Sequence, residues 1–204
     1  TTQAPLTLAA LMLLLLAFAT GGAEAKSRKP PAVAAQAPSD TLTRPARLRA
    51  LYDASRFAAA ESLAHAFLAA DSARGLPETI ETGRILDNLV LALYRQGQTG
   101  NPETLDLAKH AVALKEGLEG PNGAEYATSI NILGIIHYQR GNYLAAYPLF
   151  KLSSDIRERV LGPGDVELAK TLNNLIVVLT RLGNFVDAKA ECDRALHIFE
   201  GHPK

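Results

Sequence analysis

YQRGNYLAAYPLF (residues 138–150) and TRLGNFVDAKAEC (residues 180–192) state one short phrase twice, 42 residues apart. Each has Gly-Asn-aromatic followed three residues later by Ala. The match extends both ways at the same offset: ATSINILGIIHYQRGNY (127–143) lies over AKTLNNLIVVLTRLGNF (169–185), and EGLEGPNGAEYA (116–127) over ERVLGPGDVELA (158–169). A further copy of the first part, RILDNLVLALYRQG (84–97), is followed by a two-residue insertion in QTGNPE (98–103). Recurrence at a fixed period of this length marks a stack of supersecondary units, each unable to bury its apolar face alone.

The apolar spacing inside a copy is helical. Ile130, Leu133, Gly134 and His137 share one face, as do Leu172, Leu175, Ile176 and Leu179. Gly141-Asn142 and Gly183-Asn184 supply residues tolerant of positive φ, which predicts a turn there. A second helix then brings Tyr143, Ala146, Phe150 and Ser153 to one side, matched by Phe185, Ala188, Cys192 and Ala195. Its small residues allow close helix approach. Gly-Pro at 120–121 and 162–163 stops it, because proline cannot continue a helix.

These positions resemble the tetratricopeptide repeat, in the 42-residue form of kinesin light chains. The motif's small residue is Val90 and Gly134, with Ile176 in the last copy. Its turn glycine is Gly97, Gly141 and Gly183; its aromatic is Tyr143 and Phe185; its second small residue is Ala146 and Ala188. The resemblance implies an all-α fold, a right-handed α-solenoid of helix-turn-helix repeats, with three repeats over 79–204. Before them, residues 46–78 read as a degenerate capping repeat: Phe57, Ala60, Ala64 and Phe67 keep the second-helix pattern, Asp53 takes the glycine position, and Pro45 truncates the first helix.

The amino-terminal residues belong to a different class. Residues 6–19 are almost purely apolar, and 14 residues rising 1.5 Å each span roughly 21 Å, short of the ~30 Å hydrocarbon core. With Ala23-Glu24-Ala25 behind it, this stretch reads as a secretory signal over 1–25 cleaved after Ala25, the alternative being an uncleaved membrane anchor. Residues 26–45 carry four prolines amid Ala, Ser and Thr and have no apolar period, which predicts a disordered tether. Cys192 is the single cysteine, so no intrachain disulfide and no lipid anchor at the cleavage site is available. Twenty-one basic residues balance 21 acidic ones, so the chain has no basic excess to hold nucleic acid.

No catalytic constellation stands out. None of the five histidines has metal-ligand spacing, and no second cysteine supports a zinc site, so neither metal nor cofactor is expected. Glu61 and His65, one turn apart, read as a surface ion pair. His137 reads as a hydrogen-bonded packing residue and Cys192 as buried. What remains is a surface. The resemblance implies a concave groove lined by Arg84, Asp87, Leu91, Tyr94 and Arg95; by Thr128, Asn131, Ile135, Tyr138 and Gln139; and by Lys170, Asn173, Val177, Thr180 and Arg181. Asn131 and Asn173 recur identically and can both donate to and accept from an extended backbone, whereas Asp87 breaks their ladder. Lys170 and Arg181 flank Asn173, which favours an acidic ligand in that half of the groove. The expected function is an exported, non-catalytic scaffold for a protein or extended peptide. The alternative is the adaptor portion of a larger enzyme, such as a repeat-bearing peptidase.

Overall fold

A computed structural model describes residues 42–201. Among them are eight α-helices: α1 (Arg44–Asp53), α2 (Phe57–Ala73), α3 (Ile80–Arg95), α4 (Pro102–Glu119), α5 (Ala124–Gln139), α6 (Tyr143–Leu161), α7 (Val166–Arg181) and α8 (Phe185–Glu200). They form four antiparallel pairs, and α5/α6 and α7/α8 start 42 residues apart. The inserted residues after α3 form a short 3-10 turn, Gln98–Gly100. The signal-like stretch, the cleavage site and nearly all of the proposed tether lie outside the described residues. Among the described residues, no helix is long and apolar enough to cross a membrane.

Local chemistry explains the boundaries. Thr79 and Thr82 satisfy each other's backbone donors in a capping box at the start of α3. Asn101 caps α4 with Pro102 in its first turn, and Asp165 caps α7. Gly120 and Gly162 end α4 and α6 at φ of 78° and 91°. Inside each of the three later pairs the turn glycine takes φ of 76° to 77°. In the first pair that left-handed position falls to Ser55, at φ 56°, and not to Asp53. The reason is register: Ser55 stands two residues before Phe57, as Gly141 does before Tyr143. Helix α1 begins at Arg44 with Pro45 in its first turn, so the tether reaches only to Thr43, and α1 has 10 residues against 16 in α3.

Each helix packs on those before and after it. The first helices of successive pairs (α1, α3, α5, α7) also touch one another, while the second helices stand further apart. Close spacing on one side and wide spacing on the other bends the stack, so the first helices line the concave wall.

The core differs from copy to copy by compensating volumes. At equivalent positions of the first and second helix stand Val90 with Ala108, Gly134 with Phe150, and Ile176 with Cys192, all buried. A Cβ on Gly134 would lie 2.7 Å from the Phe150 ring, so the glycine is what admits the aromatic. Ile176 is the same trade reversed, a large residue opposite a small one.

Candidate functional site

Two features dominate the concave wall. The first is a row of tyrosines, Tyr52 on α1, Tyr94 on α3 and Tyr138 on α5, each met by a long polar side chain from the next first helix. The Arg95 guanidinium lies 5.7 Å above the Tyr52 ring, Gln139 Nε2 donates to the Tyr94 hydroxyl at 3.5 Å, and Arg181 Nε donates to the Tyr138 hydroxyl at 3.0 Å. Arg95 also covers Phe57 at 5.0 Å. Partial burial pushes the Tyr94 phenol above its usual value. Tyr94, Arg95, Tyr138 and Arg181 are therefore brought into one line, as a lacing between helices as much as a ligand surface. Tyr52 was missed by sequence reasoning, although it lies 42 residues before Tyr94 and so carries the repeat's own signal.

The second feature is a hollow of about 300 Å³ between α1, α3 and α5. Pro45, Ala46, Leu91 and Ile132 give it an apolar lining, with Arg49, Arg84, Asn88, Glu125 and Thr128 among its polar groups. Its α1 share was invisible in the sequence because Pro45 had been assigned to the tether.

Under this wall, each joint between pairs carries a cation against a first-turn glutamate of the next first helix. In the joint from α1/α2 to α3, Arg44 contacts Glu81 and Asp71, each at 2.7 Å. In the next, Lys115 of α4 is fully buried and donates to Asp87 Oδ2 at 2.6 Å and to Glu125 Oε2 at 3.0 Å. Ser129 Oγ donates to the other Asp87 oxygen at 2.8 Å, and Arg84 pairs with Glu125 at 2.9 Å. Gly83 makes room for the lysine stem, since a Cβ there would come within 2.7 Å of Lys115 Cε. Asp87 is thus a buried joint residue and not a free groove contact. Its departure from the asparagine ladder reflects the lysine beneath it. Burial pushes its carboxyl up, against the pull of Lys115 and Ser129. Burial also pushes Glu125 up, but hydrogen bonds from Arg84 and Lys115 outweigh it and hold the group below its ordinary value.

In the joint from α5/α6 to α7 the same scaffold is one carboxylate short. Arg157 stands where Lys115 does, Glu167 where Glu125 does, and Asn131 where Asp87 does. Arg157 is 7% exposed; it reaches Thr128 Oγ1 at 3.1 Å, the Glu167 carbonyl at 3.2 Å and the Glu167 carboxylate at 3.3 Å. Its Nε is buried without a partner. Lys170, exposed on the wall, shares Glu167. Asn131 Oδ1 accepts from Asn174 Nδ2 at 3.0 Å, so this asparagine is tied to the neighbouring helix. Asn173 is half-buried, and its Oδ1 is buried without a partner, so the two asparagines do not present identical groups to a ligand.

Other expectations change in detail. Glu61 accepts from Gln96 Nε2 at 2.7 Å across to α3. His137 Nδ1 is buried without a partner, where a hydrogen bond was expected, and burial together with Lys109 and Arg140 lowers its proton affinity. Cys192 is buried, which pushes its thiol up and away from nucleophilic character. Among the described residues no group of three or more His, Cys, Asp or Glu could hold a metal.

Residues 125–201 match the family described as tetratricopeptide repeat. Among solved structures, BtubC (BKLC) from P. vanneervenii is similar at 24% identity and a TM-score of 0.68, with 78% of this chain covered. This chain spans 65% of the length of that structure. A kinesin light chain of Podosopora anserina with nearly identical TPR-like repeats is similar at 15% identity and a TM-score of 0.67, covering 79% of this chain and 75% of that one. No curated protein matches the chain.

Proposed function

Because this chain carries tetratricopeptide repeats of the kinesin-light-chain-like form, a fold that serves as a scaffold for protein interaction, we propose that it holds an extended, acidic segment of another protein along its concave wall. The observation that carries this reading is the charge balance of two equivalent joints. Lys115 and Arg84 face Asp87 and Glu125, two charges against two. Arg157 and Lys170 face Glu167 alone. A buried guanidinium with half its counter-charge missing favours a carboxylate from outside. Thr128 and Lys170 place that deficit on the wall, where an extended peptide could meet it. The scaffold works without catalysis: no described cluster of acid, base and nucleophile competes with binding as its purpose.

Asn131→Asp supplies the missing carboxylate from within. In titrations of fluorescent acidic peptides against the full chain, the wild type should bind acidic sequences above neutral ones of equal length, with affinity falling as salt rises. Asn131→Asp should lose at least about tenfold of that affinity, on the order of 1.4 kcal/mol, while keeping its melting temperature. Equal binding by wild type and variant would reject the acidic reading, and no preference among the peptides would do the same.

We also propose that the protein acts after export, on the strength of the apolar stretch at 6–19 and the Ala23-Glu24-Ala25 site. Amino-terminal sequencing of the chain recovered from its native compartment should begin at Lys26. Recovery in membranes with residues 6–19 intact would favour the anchor.

A further inference from the structure

We infer that the outward face of α8 is a self-association surface, on which a second copy of this chain docks through its own α8. At each inner joint the second helix offers one face to the next first helix. On α4 that face includes Val112 and Lys115, and on α6 the equivalent Ser154 and Arg157. On α8 the equivalent residues are Leu196 and Phe199. Ser154 and Arg157 are 3% and 7% exposed beneath α7, whereas Leu196 and Phe199 are each 44% exposed. The trend is opposite to what solvent demands, because a solenoid's end needs a polar outer face and here the polar pair lies inside.

The same comparison selects the occupant. Every inner joint matches a cation of the preceding pair to a first-turn glutamate: Glu81 to Arg44, Glu125 to Lys115, Glu167 to Arg157. A further repeat of this pattern laid on α8 would set its glutamate against the Phe199 ring with no cation there. The covering surface must instead be apolar at that point, and the α8 face of another copy is. Two such faces related by a twofold axis place Leu196 and Phe199 against their own counterparts, the self-complementary contact that closes a dimer.

The test is light scattering on the full chain across a concentration series, with circular dichroism melts alongside. Wild type is expected to pass from monomer to dimer as concentration rises, and to stop at the dimer. Phe199→Arg, which restores the cation of the inner joints, should raise the dissociation constant by at least about 30-fold, the effect of losing a central aromatic anchor. Leu196→Ser, copying Ser154, provides a milder second variant if the first does not fold. A wild type that stays monomeric to high concentration overturns the proposal. So does a dimer that survives both substitutions, or growth into open-ended assemblies, which signals head-to-tail contacts.

Discussion

Lys115→Ala should be the most damaging single change in the described chain, lowering stability by about 3–5 kcal/mol and the melting temperature by roughly 10 °C. The lysine itself contributes little net free energy as a buried ion pair, since desolvating both charges offsets most of their attraction. Its removal is costly because Asp87 stays behind, buried and 2.6 Å from a cation that no longer exists. Asp87→Asn in the Lys115→Ala background should therefore recover a substantial part of the loss by deleting the stranded charge. A chemical-denaturation series on the three variants and the wild type decides it. If Lys115→Ala melts like the wild type, the joint is not held as described.

Acid should narrow the gap between Lys115→Ala and the wild type. In the wild type Glu125 is held below its ordinary value, so its share of stability is complete above the unfolded-state pKa of about 4.3 and is lost as pH falls through the lower folded value. Asp87 works in the opposite sense, because burial raises it and acid relieves its charge. In the variant that relief is the larger effect, since no ammonium remains to favour the ionised form. Denaturation midpoints measured at neutral pH and near pH 4 should accordingly converge.

The second large effect concerns the pair Gly134 and Phe150. Gly134→Val should cost ~1–3 kcal/mol, because its side chain collides with a ring already 2.7 Å from the Cβ position. Phe150→Ala should cost ~3–5 kcal/mol through the cavity it opens. Together the two changes reproduce Val90 and Ala108, the combination that fills the same space in the preceding pair. The double variant should then be less damaged than the sum of the singles by at least about 1 kcal/mol. Strict additivity in the double-mutant cycle would show that the two sites do not share one packing space.

The helical pairs and their order were legible because they are written locally and repeatedly. Apolar spacing, turn glycines, Gly-Pro stops and the 42-residue offset each constrain a few neighbouring residues, and each recurs. The burial of Cys192, Ala146 and Ala188 followed from the same register. Tertiary structure alone decided which polar residues face a ligand. Asp87 read as a groove position because its spacing along α3 is correct; it is buried because Lys115, 28 residues on, reaches under it past Gly83. Asn131 and Asn173 are the same residue at the same register, yet one is bound to Asn174 and the other has a buried, unpartnered oxygen. Periodicity specifies the face of a helix on which a side chain lies. Whether that side chain is free depends on partners that the next helix brings from dozens of residues away, and no local pattern records them.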